Sequence, residues 1–327
     1  MSTKGFITGT GIYLPEKIVT NKDLEKIVDT SDEWITQRTG IKERRLSRED
    51  EPTSELAYNA GMNAIADAGL TPDDIDMIIV GTFTPDMLFP SCACTVANKM
   101  GLDGIPALDL EAACSGFVSS LTIASQFIEN GIFENILVIG ADETSKTVDW
   151  TDRAICVLFG DGAGAFVLSS KGSKNEIKGF GMGARGSGHD CIVIPAGGSR
   201  IPATPEAIEK KLHFLTMKGK DVYRFAINIV SHTIKQAFNE SNMEVSELKY
   251  IIPHQANIRI IKSAAKKMGL NEENITINLD KYGNTVAATI PIGFHEFLEK
   301  NTGNRGEIAA LVGFGGGLSW CTILVEL

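Results

Sequence analysis

The sequence predicts an α/β protein built from two copies of one folding unit, and two observations carry this. Short apolar runs of strand length alternate with segments of helical periodicity along the chain, which is the pattern of layered α/β architectures. The order of elements in the first half also recurs in the second, the signature of a duplicated unit.

Taken in order, Lys4 to Gly9 is strand-like and enters a loop. Thr53 to Ala68 is helical, because Leu56, Ala60, Ala64 and Ala68 recur at spacing four and share one face. Met77-Ile78-Ile79-Val80, within Asp76 to Gly81, is apolar on both faces, as a strand covered by helices on each side must be. Ile105 to Leu110 is a second such strand, followed by a helix through Ile128, and Asn135 to Gly140 is a third strand. In the second half, Val222 to Phe238 is helical and Leu248 to Ile252 is a strand. Ala256 to Met268 is a helix, Ile275 to Leu279 a short strand and Thr285 to Leu298 another helix. Glu307 to Val312 is a strand running into Gly313-Phe314-Gly315-Gly316-Gly317.

The two series correspond. Ile105 to Leu110 leads through Glu111-Ala112-Ala113 to Cys114, and Ile275 to Leu279 leads through Asp280-Lys281-Tyr282-Gly283 to Asn284. Residues 1–172 and 173–327 are the expected halves. Packed about a pseudo-twofold, they bring equivalent strand ends together, and ligands of such sheets bind outside the carboxyl ends of the strands. The Cys114 turn, the His254 loop and the Asn284 loop are therefore expected in one pit.

Composition narrows the function classes. A chain of 327 residues with 43% hydrophobic and 22% charged side chains buries roughly three quarters of its unfolded surface, so a disordered or disulfide-stapled module is excluded. A net charge of -10 argues against nucleic acid as the main partner. The N-terminus lacks the apolar stretch of a signal peptide, and Ser115, Ser119, Ser120, Thr122, Ser125 and Gln126 interrupt the longest apolar segment, so neither secretion nor a membrane span is expected. Six cysteines suit a reducing compartment, hence the cytoplasm. Cys92 and Cys94 have no second pair or histidine nearby, so no metal site is expected.

Cys114 alone reads as a small buried hydrophobe. Its place between a strand and a helix start, beside Ala113, Ser115 and Gly116, adds another reading: a helix N-terminus lowers a thiol's pKa and makes it nucleophilic. His254 follows Pro253, where the chain leaves a strand, and Asn284 sits in a turn. A cysteine, a histidine and an asparagine suit amide hydrolysis of the papain type or acyl transfer to carbon. The first lacks its local Cys-Gly-Ser-Cys-Trp pattern and a compatible frame. In the second, a thiolate accepts an acyl group, and the histidine and asparagine donate hydrogen bonds to an enolate oxygen where charge develops. Gly315-Gly316-Gly317 permit a backbone N–H to approach closely as an oxyanion donor.

A set of segments spanning nearly the whole chain then becomes specific: Asp32-Glu33-Trp34-Ile35 with Arg38-Thr39-Gly40-Ile41, Phe89-Pro90-Ser91, Ala112-Ala113-Cys114-Ser115-Gly116-Phe117, Leu158 to Ala165, Pro253-His254-Gln255-Ala256-Asn257, Gly283-Asn284-Thr285 and Gly315 to Trp320. In these the chain resembles the 3-oxoacyl-[acyl-carrier-protein] synthase III family, the initiating condensing enzymes of type II fatty acid synthesis. The resemblance implies a five-layered thiolase-like fold and a homodimer. It implies acyl-CoA as a substrate rather than a permanently bound cofactor, and malonyl-acyl-carrier protein as the second substrate.

By the same resemblance Cys114 is the acylated nucleophile, with His254 and Asn284 as the decarboxylating pair. The N–H groups of Cys114 and Gly316 form the oxyanion hole. Trp34 and Arg153 sandwich the coenzyme A adenine, with Arg38 near its phosphates. Asn257 and Gly219 line the pantetheine channel, and Phe89 closes the partner's acyl pocket. Relatives in the superfamily use two histidines, a second cysteine or a glutamate instead, and the thiolase cysteine pattern is absent here. Val286 stands where the family commonly has serine, Cys321 where it has glycine, and Cys92 and Cys94 lie near the acyl pocket.

The stretch from Lys249 to Met268 holds five basic residues and no acidic one. Arg259, Lys262 and Lys266 share a helix face, and with Arg224 they suit docking of an acidic carrier protein. The alternative function is a related acyltransferase of secondary metabolism with another acceptor. A non-enzymatic scaffold would have no need of Cys114, His254 and Asn284 together.

Overall fold

The computed structural model describes residues 3–300 and 303–327. Nine strands form its main sheet: β1 (Phe6–Tyr13), β2 (Met77–Gly81), β3 (Ala107–Leu110), β4 (Asn135–Asp142), β5 (Gly162–Ser169), β6 (Glu176–Ala184), β7 (Leu248–Pro253), β8 (Ile308–Gly315) and β9 (Ser319–Glu326). Their order is β7-β8-β9-β6-β1-β5-β4-β2-β3, and the duplication is plain in it. Outward from the centre, β1-β5-β4-β2-β3 has antiparallel, antiparallel, parallel and parallel pairings. Outward on the other side, β6-β9-β8-β7 repeats the first three, and a parallel bridge from Ile251 to Ile275 supplies the fourth. The two halves join through antiparallel pairing of β1 with β6 at Phe6 and Glu176.

Side-chain alternation turns this ladder into layers. Along β8, Ala309 and Leu311 enter one apolar cluster while Ala310 and Val312 enter another, the period-two consequence of the pleat. Helices α1 (Asp32–Thr39), α2 (Thr53–Asp67), α3 (Cys92–Met100), α4 (Gly116–Glu129), α5 (Gly219–Glu240), α6 (Ile258–Met268) and α7 (Thr289–Glu299) cover the faces. Leu56 and Ala60 of α2 with Val96 of α3 pack on the outer face of the first half. Ile229 and Ile234 of α5 with Ile261 of α6 pack on the outer face of the second. Between the halves lie α4 and α7, whose Leu121, Ile290 and Phe294 share one core with Ile79, Val138, Leu311 and Ile323. The result is five layers, α/β/α/β/α, as expected.

Most expected elements recur with shifted ends. The strand before Cys114 starts at Ala107, because Pro106 has no N–H to offer the ladder. The helix after His254 starts at Ile258, since the Asn257 side chain caps it by accepting from the Arg259 N–H at 2.9 Å. Two expectations need correction. Ile275 to Leu279 is not a strand: only Ile275 pairs, and Leu279–Tyr282 is a short helix. Asn278 turns away from the ladder, its N–H and side chain bonded to Gln255 and Glu296. Thr285 to Leu298 is not one helix either, because Val286 has φ +52° and the α-helix begins at Thr289. Strands β5, β6 and β9 complete the sheet beyond the elements read from the sequence. Among the described residues, no helix is long and apolar enough to cross a membrane.

Candidate active site

The nucleophile turn follows β3. Ala113 takes φ +45°, a conformation uncommon outside glycine, and the bend carries Cys114 into a single turn that continues as α4. Backbone N–H groups of Cys114 and Gly316 both bond toward the Cys114 thiol. Gly315 makes that approach possible: a Cβ there would stand 2.7 Å from Cys114 Cβ and 2.8 Å from its Sγ. Ser115 and Ser319 pin the turn to β9, their hydroxyls 2.8 Å apart.

The charge state of the thiol differs from the sequence-based expectation. Burial, reinforced by the carboxyl of Asp142, pushes Cys114 up to about 12 despite the helix start. Desolvation opposes the thiolate more strongly than the surrounding N–H groups support it, so the resting group is a thiol.

His254 extends the ladder by one residue beyond β7, its N–H donating to the Val312 carbonyl at 2.8 Å. The ring is buried, lies edge-on to Phe314 at 5.3 Å, and places Nδ1 2.7 Å from Thr289 Oγ1. Burial pushes its pKa down to about 3, so the imidazole is neutral at pH 7.

Asn284 is held by backbone on both sides. Its N–H donates to the Leu158 carbonyl at 2.9 Å and its carbonyl accepts from the Gly160 N–H at 3.1 Å. Its Oδ1 accepts from the Val286 N–H at 2.9 Å, which leaves the amide NH₂ as a donor. Val286 is thus β-branched and left-handed, an outlier at the position where serine is common in the resembling family. Asp142 anchors the same loop. Its Oδ2 accepts from the Ala287 N–H at 3.0 Å, and its Oδ1 accepts from Thr82, Phe83 and Thr84. Burial pushes this carboxyl up to about 7. At Gly140, two residues earlier on the same strand, a Cβ would meet the Ala287 carbonyl oxygen at 2.7 Å.

The three loops meet as expected. Cys114, His254 and Asn284 line one cavity of about 620 Å³, together with Gly316, Gly219 and Asn257. A thiol beside two convergent N–H groups, facing a neutral imidazole and a fixed amide donor, can hold an acyl group and stabilise a second oxyanion opposite it. Asn257 has its amide engaged, donating to the Arg38 carbonyl at 3.0 Å while it caps α6.

The other expected residues lie outside this cavity. Trp34 is flanked by Arg38 and Arg153, whose guanidinium carbons lie 5.6 and 5.1 Å from its ring centre. A flat ring between Trp34 and Arg153 needs about 7 Å, two van der Waals contacts, so the slot is closed and Arg153 must swing away to admit one. Arg153 is held by the Asp29 carbonyl at 2.7 Å. Phe89, 87% exposed, protrudes with Leu88 and Met87. Arg224, Arg259, Lys262 and Lys266 are all exposed. Arg259 also donates to the Gln37 carbonyl and Lys262 pairs with Glu272 at 2.9 Å. Among the described residues, no cluster of three histidine, cysteine or acidic side chains is placed to hold a metal ion.

Sequence reasoning missed Thr289, Asp142 and Phe314. Thr289 and Phe314 lie inside segments already singled out, where nothing in the residue pattern sets them apart. Asp142 carried no local signal beyond its place at a strand end.

Residues 238–327 match the family model described as 3-oxoacyl-[acyl-carrier-protein] synthase III C terminal, and residues 108–186 match that for 3-oxoacyl-[acyl-carrier-protein] synthase III. The beta-ketoacyl-[acyl-carrier-protein] synthase III of Caldanaerobacter subterraneus subsp. tengcongensis is 48% identical over 320 residues, 98% of this chain and 97% of that one. The crystal structure of 3-oxoacyl-[acyl-carrier-protein] synthase III from Aquifex aeolicus superposes with TM-score 0.90 at 41% identity, covering 99% of this chain and 100% of the other. The priming beta-ketosynthase of the R1128 polyketide pathway superposes with TM-score 0.90 at 30% identity, covering 99% and 97%.

Proposed function

Because the chain belongs to the 3-oxoacyl-[acyl-carrier-protein] synthase III family, we propose that Cys114, His254 and Asn284 divide its chemistry between two half-reactions. The protein is an initiating condensing enzyme of fatty acid synthesis, an acyltransferase that uses acyl-CoA and acyl-carrier protein. In the first half-reaction Cys114 sulfur attacks the thioester carbonyl of acyl-CoA. The tetrahedral oxyanion sits on the N–H groups of Cys114 and Gly316, the carbon–sulfur bond to coenzyme A breaks, and coenzyme A leaves carrying the thiol proton. In the second, malonyl-carrier protein loses carbon dioxide. The electron pair of the broken carbon–carbon bond forms an enolate whose oxygen accepts from His254 Nε2–H and the Asn284 amide. The enolate carbon attacks the acyl-cysteine, the tetrahedral intermediate collapses by breaking its carbon–sulfur bond, and 3-oxoacyl-carrier protein leaves while the Cys114 thiolate takes a proton from water.

The observation that carries this reading is the Val286 N–H on Asn284 Oδ1 at 2.9 Å, which fixes the amide with its donors free. Asn284→Ala tests it. Acylation by acyl-CoA, followed by intact-mass spectrometry, is expected to persist, while decarboxylation of malonyl-carrier protein falls about 10²–10³-fold, the usual cost of one oxyanion donor. Condensation at the wild-type rate would refute the assignment.

Trp34, Arg153 and Arg38 bind the coenzyme A nucleotide, with aromatic and cationic groups suited to a base and phosphates. Gly219 and Asn257 line the pantetheine path. Exposed Arg224, Arg259, Lys262 and Lys266 receive the acidic carrier protein. A homodimer is supported by the unpaired outer edge of β3 at the end of the sheet, since exposed edges pair readily, and by the exposed Leu88 and Phe89. The two halves divide at 172/173, in the segment between β5 and β6. The enzyme works in the cytoplasm with its soluble thioester substrates. A role in a specialised pathway, favoured only by the R1128 likeness, would show as condensation on a different acceptor.

A further inference from the structure

The turn that supplies the Gly316 N–H has little side chain of its own to pack. Gly316 and Gly317 follow β8, and Gly317 is exposed with φ +117°. Glycine has the widest backbone freedom of any residue, so contacts from outside must hold this N–H in place. Ser319, the first residue of β9, reaches back to the turn. Its Oγ lies 2.8 Å from the Gly316 carbonyl oxygen, 2.8 Å from Ser115 Oγ and 3.3 Å from the Ala112 carbonyl oxygen. Ser115 Oγ lies 2.8 Å from that same Ala112 oxygen. The two hydroxyls therefore span the gap between the Gly316 turn and the Cys114 turn. Sending both protons to carbonyls would leave two oxygens facing at 2.8 Å with no proton between them, an unpaired contact. One hydroxyl thus donates to the other, and the second donates to Gly316 or to Ala112. The carbonyl left out keeps a backbone donor, because Gly316 accepts from the Ser319 N–H and Ala112 from the Ser115 N–H. The link between the turns is the same whichever hydroxyl donates.

We propose that Ser319, bonded to Ser115, is a positioning residue of the acyl oxyanion hole, its hydroxyl bridge setting the separation of the Cys114 and Gly316 N–H groups. This rests on the reading of those two N–H groups as the hole. Two donors stabilise one oxyanion only when both reach the same oxygen, at about 2.7–3.1 Å. Here separate elements carry them, Cys114 on the turn after β3 and Gly316 on the turn after β8. Close packing fixes β8 itself: a Cβ at Gly313 would stand 2.8 Å from Ser115 Cα, and one at Gly315 2.7 Å from Cys114 Cβ. The bridge fixes the turn beyond that point. His254 and Asn284 take other partners, Thr289 and the Val286 N–H, so loss of the bridge acts on acylation and leaves decarboxylation alone.

The test reads the two half-reactions separately in Ser319→Ala, Ser115→Ala, their double variant and Ser319→Thr. In Ser319→Ala, acylation by acyl-CoA is expected to slow about 10-fold, less than the cost of about 10²-fold or more for losing a donor outright. Decarboxylation of malonyl-carrier protein is expected to stay at the wild-type rate, and Ser319→Thr, which keeps the hydroxyl, to recover most of the acylation. Ser115→Ala reads the same bridge from its buried end, should Ser319→Ala fail to fold. The double variant is expected to be no slower than the slower single one, because both remove one shared link. In the acyl-enzyme made with carbonyl-carbon-13 acyl-CoA, the infrared carbonyl band is expected below that of a free thioester and to move toward it in Ser319→Ala. Equal slowing of both half-reactions, multiplied effects in the double variant, or an unmoved band would overturn the proposal. A wild-type band already at the free-thioester position would refute the oxyanion hole itself, a failure distinct from that of the bridge.

Discussion

Gly315→Ala perturbs the nucleophile without touching its chemistry. The added methyl carbon would lie 2.7 Å from Cys114 Cβ, 2.8 Å from Sγ and 3.4 Å from the Cys114 nitrogen. Carbon atoms prefer about 3.5–4.0 Å, so the cysteine and the β8 backbone must separate by close to 1 Å. Overpacking of this kind costs about 1–3 kcal/mol of stability. A misplacement of about 1 Å can slow a reaction about 10²-fold. The position is extended at φ 174°, so the penalty is contact and not backbone strain. Acylation of Cys114 by acyl-CoA, followed by stopped-time intact-mass spectrometry, is expected to slow about 10²-fold while the circular dichroism spectrum stays native. Gly198→Ala is the control, because nothing lies within 4 Å of a Cβ there and the position is outside the cavity. If Gly315→Ala acylated at the wild-type rate, the claim that β8 seats the nucleophile would be wrong.

Other expectations follow from the same geometry. With Cys114 raised to about 12 and His254 lowered to about 3, the resting pair is thiol and neutral imidazole. Alkylation of Cys114 by iodoacetamide should therefore rise tenfold per pH unit from pH 7 to 10, and a plateau below pH 8 would mean a thiolate. Asp142→Asn keeps one acceptor where four donors converge, and turning an NH₂ toward one of them costs about 1–3 kcal/mol. Chemical denaturation should show that loss, with condensation slowed more than acylation. Coenzyme A should change the fluorescence of Trp34 as Arg153 leaves its ring, a change absent in Trp34→Phe. Loss of the cation–π partner in Arg153→Ala should weaken coenzyme A binding a few-fold, as read by calorimetry.

Much of the frame was legible because burial on both faces leaves a strong mark. Met77 to Val80 is fully covered and reads as an unbroken apolar run. The spacing-four alanines of α2 likewise announce the face that packs on β1 and β5. Strands β6 and β9 were harder. Glycines at 179, 181 and 183 deprive β6 of an apolar pattern, because α5 and Trp320 press against its backbone there. The segment at Ile275 looked like a strand because its apolar residues alternate, yet Asn278 spends its hydrogen bonds on Gln255 and Glu296 instead of the ladder.

The site divides in the same way. Cys114, His254 and Asn284 were legible as residue types at equivalent strand ends, and the duplicated topology brings them together. The protonation state of the thiol was not, since a helix start is visible in sequence and the depth of burial is not. Thr289 and Asp142 act through single hydrogen bonds to loop atoms, whose direction depends on the left-handed turn at Val286. A β-branched residue gives no sequence warning of such a turn.

The central claim is that one cysteine carries the acyl group from coenzyme A to a malonyl-derived enolate. Its most direct test incubates the purified protein with acyl-CoA thioesters from acetyl through branched four- and five-carbon chains to longer ones, follows intact mass, and then adds malonyl-carrier protein. The account predicts a mass gain of one acyl group on Cys114, lost on addition of malonyl-carrier protein as 3-oxoacyl-carrier protein appears. A stable acyl-enzyme that yields no condensed product, or acylation that persists in Cys114→Ala, would contradict it.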